Sequence, residues 1–356
     1  MAVRHLLLLL AIFLVSLAGM TAQGGETWPR VPALMVFGDS LVDVGNNDYI
    51  TSVVKANSPP YGRDFKDHVA TGRFSNGRLL SDIIGEKVGF SGSPPAYLSP
   101  QASGQNLLIG ANFASAGGGY YDPTAFMYHV ISLSKQLEYF KDYTTKLAAV
   151  AGSSRAQSIV SNSVYIISAG STDFGLSYYI NPLLFKTLTA AQFSDRLIGI
   201  FNKTVTQLYG MGARRIGVFS LPPFGCLPLA ITVFGHGSNE CVPRLNNDFG
   251  RYNMMLSAAV ESLSNRHHDL KIVVLDIYKP LYNLATSPEA QGFSEARRAC
   301  CGTGTVETTV LLCNTKSVGT CSNATTYVFW DSVHPSEAAN EVIVDSLNKD
   351  INRLVI

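Results

Sequence analysis

Short apolar runs alternate along this chain with longer segments whose apolar residues recur every three or four positions. Ala33–Phe37 (ALMVF), Ser163–Ser168 (SVYIIS), Arg215–Ser220 (RIGVFS) and Lys271–Asp276 (KIVVLD) read as buried strands, and Tyr327–Trp330 (YVFW) as a short fifth. Leu79, Leu80, Ile83, Ile84 and Val88 share one helical face in NGRLLSDIIGEKVG. Phe193, Leu197, Ile200, Phe201, Val205 and Leu208 do the same within Thr189–Tyr209. Leu245–Leu263 reads as another amphipathic helix, and a last one from about Ser336 carries Val342, Ile343, Leu347 and Ile351. This alternation predicts an α/β fold with a mainly parallel sheet and helices on both faces. Ligands of such folds bind beyond the carboxyl ends of the strands.

The strand ends therefore carry the candidate chemistry. The first ends in Gly38-Asp39-Ser40, the second in Ala169-Gly170-Ser171-Thr172-Asp173, and the fifth in Asp331 with His334 three residues on. A serine after an aspartate is most often a helix cap, and the G-x-S-x-G elbow is absent because Val42 replaces its second glycine. Ser40 becomes a useful nucleophile only with a base. Asp331 and His334 are close enough for the carboxylate to orient the imidazole, which is the base a serine requires; the alternative is a turn-stabilising aspartate beside a surface histidine. His267-His268 falls in a polar stretch and reads as solvated. Ile109–Asp122 (IGANFASAGGGYYD) lacks G-x-G-x-x-G and a P-loop lysine, so nucleotide binding is not expected. Its small residues allow a backbone N–H to approach a reacting carbonyl, as an oxyanion hole needs, or make a flexible loop.

The chain has 356 residues, 46% apolar and 15% charged, enough for one large α/β domain or two smaller ones. A net charge of +1 gives no overall electrostatic case for nucleic acid or an anionic membrane. At the N-terminus, Arg4 precedes an unbroken apolar run from Leu6 to Val15 and then small and polar residues. That run is shorter than a spanning helix needs and reads as a signal peptide, approximately residues 1–24, cleaved between Ala18 and Gly25. No later stretch is long enough to span a bilayer, so no integral membrane association is expected after cleavage. The six cysteines, Cys226, Cys241, Cys300, Cys301, Cys313 and Cys321, suggest disulfides in an exported chain. Cys226 and Cys241 flank one loop and are the favoured pair, with the other four pairing among themselves. Asn202 (N-K-T) and Asn323 (N-A-T) are glycosylation sequons.

In combination the motifs become specific. FGDS near the mature start, GANFASAGGG, SAGSTDF and DSVHP occur in that order. Together with LPPFGCLP, ACCGTG and YVFWDSVHPSEAAN they closely resemble the plant-type GDSL esterase/lipase family of the SGNH hydrolase superfamily, from about Pro32 to Leu354. The resemblance implies a single domain over 25–356, with a three-layer α/β sandwich around a flavodoxin-like sheet. It also implies ester hydrolysis through an acyl-enzyme, with Ser40 as nucleophile, His334 as base and Asp331 as its orienting acid. The implied oxyanion donors are the Ser40 and Gly117 backbone N–H groups and a side chain of the G-x-N-D block. Here that block reads Gly170-Ser171-Thr172-Asp173, with threonine where the family usually has asparagine. A threonine hydroxyl offers one donor hydrogen where an amide offers two, so a weakened oxyanion hole is expected unless Ser171 assists.

The expectation is a secreted, glycosylated ester hydrolase of the apoplast or cell wall, with no metal or diffusible cofactor. Its partner is an ester substrate, either an acyl lipid or an acetylated polysaccharide, and its oligomeric state is left open. The same triad also suits an acyltransferase or a wall-polysaccharide O-deacetylase. A binding protein that has lost catalysis is the alternative from another class, because of Thr172.

Overall fold

The computed structural model describes residues 30–303, 306–307, 313–317 and 319–356. The expected signal peptide lies outside them. Five strands form one sheet: β1 (Leu34–Gly38), β2 (Gly110–Asn112), β3 (Val164–Ser168), β4 (Arg215–Phe219) and β5 (Lys271–Leu275). Every pairing is parallel and the spatial order is β2-β1-β3-β4-β5. This is the flavodoxin-like order, whose switch point lies between β1 and β3. β1 and β3 are buried along their whole length, which explains their continuous apolar character.

The helices are α1 (Leu80–Lys87), α2 (Asp122–Tyr128), α3 (Leu133–Ala151), α4 (Ser153–Asn162), α5 (Pro182–Thr187), α6 (Ala190–Gly210), α7 (Pro228–Phe234), α8 (Pro243–Arg266), α9 (Tyr278–Thr286), α10 (Glu337–Ser346) and α11 (Asn348–Val355). α3 packs on β1, α8 on β5, and α11 on β4 and β5. Local chemistry fixes their starts. Thr189 and Gln192 form a reciprocal capping box at α6. Ser336 caps α10 by accepting from the Ala339 N–H, and its own hydroxyl donates to the Tyr327 carbonyl.

Three expectations are corrected. Tyr327–Trp330 is not a strand of the sheet. Its backbone bonds instead to Glu295, Cys300, Cys301, His334 and Ser336, making a buried return that holds Asp331 and His334 in one tight loop. The fifth strand is β2, inside the small-residue segment. It can lie against β1 because Gly110 has no side chain: a Cβ there would sit 1.9 Å from the Leu34 carbonyl oxygen. The final helix is two, α10 and α11, meeting at Leu347. The pattern reading also passed over α3, whose buried stripe of Leu133, Phe140, Tyr143 and Leu147 is interrupted by a polar residue, Gln136. His268 is exposed as expected, whereas His267 is half-buried with its ring 4.2 Å from that of Tyr209.

All six cysteines are paired, as Cys226–Cys241, Cys300–Cys321 and Cys301–Cys313. The first is the favoured pair, and the other four do pair among themselves.

A buried ion pair ties the loop before α1 to that helix. Arg73 Nε and Nη2 donate to the two Asp82 oxygens at 2.8 and 2.7 Å, and the backbone N–H groups of Leu79 and Ser93 donate to the same carboxylate. Burial pushes the Asp82 carboxyl up, but Arg73 and these donors outweigh it and hold the group below its ordinary value. Removing one partner of such a pair strands the other charge. Arg73→Met is therefore expected to lower the unfolding free energy by about 3–5 kcal/mol. Urea melts at neutral pH check this, and an unchanged midpoint would show that the pair carries no net stability.

Candidate functional site

The site grows from the end of β1. Gly38 adopts a φ of 133°, and a Cβ there would lie 1.8 Å from the Ser168 carbonyl oxygen, so only glycine fits between β1 and β3. The buried Gln136 amide clamps this residue, accepting from the Gly38 N–H at 2.8 Å and donating to its carbonyl at 2.9 Å. The chain then turns, with the Val42 and Asp43 N–H groups bonded to the Asp39 carbonyl, and Ser40 emerges partly exposed.

His334 arrives from the other end of the chain. Its Nε2 lies 2.7 Å from Ser40 Oγ, and its Nδ1 lies 2.8 Å from Asp331 Oδ2. These partners assign the tautomer: Nδ1–H donates to the carboxylate and Nε2 accepts from the serine hydroxyl. Asp331 has no solvent exposure. Its Oδ1 accepts from the backbone N–H groups of Val333 and His334 at 2.9 and 2.8 Å, and its Oδ2 accepts from the Tyr61 hydroxyl at 2.8 Å. Burial, and secondarily the Asp331 charge, pushes the Tyr61 hydroxyl well above its ordinary value, so it remains a donor. Phe74 packs its ring 5.0 Å from that of His334.

Tyr61 is a site residue that sequence reasoning missed. It lies 270 positions from Asp331, and its Pro-Pro-Tyr-Gly setting signals only a turn.

The glycine-rich segment forms a third wall and is held from two sides. Asp43 Oδ2 accepts from the Ala116 N–H at 2.9 Å, while Asn46 Nδ2 donates to the Asn112 and Ala114 carbonyls and Asn47 Nδ2 to that of Ala116. From the segment after β3, Asp173 accepts from the Tyr120 N–H at 2.7 Å, the Tyr121 N–H at 3.2 Å and the Thr124 hydroxyl at 2.7 Å. Burial pushes Asp43 and Asp173 up to about 6 each, opposed by these donors. Gly117, between the two anchors, takes a φ of +82°. Asp39, beside Ser40, is pushed by burial up to about 7, against the hydrogen bonds from Ser168 and Leu41, and its Oδ2 is buried without a partner among the described residues.

Ser40, Gly117, Ser171, Thr172 and His334 line one cavity, whose other walls include Val54, Phe74, Leu176, Phe224, Leu229 and Leu281. Thus every residue expected at the site reaches the cavity except Asp331, which stands behind His334. The Thr172 hydroxyl, on a residue 8% exposed, has no hydrogen-bond partner among the described residues and is free to meet a ligand. No group of three or more His, Cys, Asp or Glu among the described residues could hold a metal ion. The sequons lie apart: Asn323 is exposed, and Asn202 is half-exposed on α6.

A hydrogen-bonded Ser–His–Asp set at the carboxyl ends of a parallel α/β sheet is the arrangement of serine hydrolases. Residues 34–347 match the family described as GDSL-like lipase/acylhydrolase. The chain is 58% identical over 317 residues to GDSL esterase/lipase APG of Arabidopsis thaliana, covering 89% of this chain and 90% of that protein. It is 56% identical over 322 residues to GDSL esterase/lipase At5g22810 of the same plant, covering 90% and 89%. The chain belongs to the GDSL-like lipase/acylhydrolase family.

The Tyr61 hydroxyl holds the carboxylate that holds the imidazole, and a phenylalanine would fill the same space. Tyr61→Phe is expected to lower kcat by about tenfold, roughly 1.4 kcal/mol, with KM nearly unchanged. Steady-state kinetics on a soluble activated ester check this. A rise in KM with kcat preserved would instead place Tyr61 in substrate binding.

Proposed function

We propose that this carboxylic ester hydrolase works through an acyl-enzyme on Ser40, with His334 as general base and then acid and Asp331 as the orienting carboxylate. The observation that carries this reading is the unbroken run of hydrogen bonds from Asp331 through His334 to Ser40 at the wall of an apolar cavity. Ser40 Oγ attacks the ester carbonyl while Nε2 takes its proton; the protonated imidazole then gives that proton to the leaving alcohol. Water, deprotonated by the same Nε2, attacks the acyl-enzyme, releasing the acid and restoring the serine. The oxyanion meets the Ser40 and Gly117 N–H groups and, in place of the usual asparagine, the Thr172 hydroxyl.

The apolar walls favour an ester with an extended acyl chain. An acetylated polysaccharide would bring hydroxyls with few partners on these walls. The same triad serves transfer to a second alcohol, and product analysis with and without an acceptor separates the two. The assembled triad supports turnover rather than binding alone. A single catalytic domain, secreted to the apoplast after loss of about residues 1–24 and glycosylated at Asn202 and Asn323, fits the N-terminal apolar run and the fully paired cysteines.

Two substitutions test this reading. Ser40→Ala is expected to abolish turnover and fluorophosphonate labelling with little change in melting temperature; substantial remaining turnover would place the nucleophile elsewhere. Thr172→Val keeps the shape and removes the hydroxyl, and is expected to lower kcat roughly 100-fold on a small activated ester. Unchanged kcat would move the third donor to another group, with Ser171 the nearest candidate in sequence.

A further inference from the structure

Fourteen large apolar side chains are markedly exposed among the described residues, and seven of them fall on four short segments. These are Val53 (80% exposed), Phe126 (66%) and Met127 (46%), Ile180 (56%), Leu183 (70%) and Phe185 (47%), and Val233 (51%). Each segment also supplies a wall of the catalytic cavity, through Val54, Tyr128, Leu176 and Leu229 respectively. The segments touch one another. Ser52 Oγ donates to the Tyr128 carbonyl at 3.1 Å, and the Tyr128 hydroxyl donates to the Leu176 carbonyl at 3.0 Å. The Tyr179 ring lies 6.0 Å from that of Phe234 and 6.3 Å from that of Phe185. The exposed apolar residues therefore sit on four adjoining segments that form a rim at the cavity, and concentrations of this kind mark interaction sites.

The charge on the rim narrows the occupant. Residues 52–55, 126–129, 176–187 and 229–236 contain Lys55 and Lys186 and no aspartate or glutamate. Lys186 is exposed. Beside these segments Asp48 faces Lys55, and Asp248 accepts from the Tyr179 hydroxyl at 2.6 Å with Arg244 over the same ring, so the uncompensated charge on the rim is that of Lys186. Apolar side chains with an exposed lysine among them suit a lipid surface that carries anionic groups. A surface seated there would let an acyl chain pass from the aggregate into the apolar cavity without crossing water.

We propose that this rim docks the enzyme onto the surface of aggregated, partly anionic acyl lipid. The proposal rests on the ester-hydrolase reading for its purpose, but its test does not depend on turnover. Mature Ser40→Ala protein, without the apolar N-terminal run of residues 6–15, is mixed with vesicles of phosphatidylcholine, with or without about one-fifth phosphatidylglycerol, and separated by flotation. The expected result is co-flotation with both, stronger with the anionic vesicles. Adding Val53→Ser, Phe126→Ser and Leu183→Ser should weaken binding by at least about tenfold, with the melting temperature checking that the protein is folded. Lys186→Glu, on an exposed side chain, should remove only the preference for anionic vesicles.

The proposal is overturned if Ser40→Ala protein stays with the lipid-free fraction, or if the triple variant floats like its parent. It is also overturned if sedimentation shows a dimer that the triple change abolishes, since the rim would then face a second copy. Probe labelling of the unmodified enzyme keeps the two readings apart. A protein that is labelled and does not float sinks docking alone; one that floats and is not labelled supports docking and sinks the hydrolase reading.

Discussion

A carboxylate sealed from water must be surrounded by hydrogen-bond donors, and the site depends on how that demand is met at Asp331. Its donors are the His334 ring, the Tyr61 hydroxyl and two backbone N–H groups of its own loop. Satisfying the charge thereby fixes the imidazole, its tautomer and its direction toward Ser40. The loop is in turn shaped by the buried return of Val328–Trp330, whose backbone partners lie outside the sheet. The same atoms that neutralise a buried charge set the geometry of the imidazole.

The demand recurs on the opposite side of the cavity. Asp43 follows β1 and Asp173 follows β3, the strands that flank the switch point of the sheet. Each turns its buried carboxylate to N–H groups of the segment after β2. Gly117 is thus positioned by the segments that follow β1 and β3. Backbone donors can stabilise a developing oxyanion only if they are already in place, and this double anchoring is what the proposed role of Gly117 requires. Buried polar groups of this kind are costly when half satisfied and strongly positioning when fully satisfied. Asp39, whose Oδ2 has no partner among the described residues, is less fully satisfied, and burial raises its affinity for a proton further than that of Asp43 or Asp173.

The remainder of the cavity follows from the apolar demands of the fold. Phe74, Phe224 and Leu281 serve at once as core residues and as walls. The boundary between core and ligand site is therefore a matter of where the loops part. The segments that part there carry their apolar residues outward as well as inward, which is why wall and rim share the same stretches of chain.

Much of this was legible in the sequence. β1, β3, β4 and β5 and helices α1, α6 and α8 stood out because burial on a strand or helix imposes a local period, and a local period survives in one dimension. Ser40 stood out because strand ends carry ligands, and Asp331 and His334 because they are only three positions apart, although the strand expected before them is not part of the sheet. Their joint geometry, and that of Gly117 and Thr172, was expected from motif resemblance rather than from any period. What the sequence could not decide were matters of pairing across the chain. β2 has three residues and no alternation of its own; it is a strand because Gly110 lets it approach β1. Tyr327–Trp330 has the apolar character of a strand, but its backbone found other partners. Tyr61, Gln136, Asn46 and Asn47 act through groups far away in sequence, so no local pattern marks them. Local periodicity by itself determined which segments would be buried in regular structure; tertiary packing decided which distant polar atoms meet, because a hydrogen bond depends on position in space and leaves no spacing in the chain.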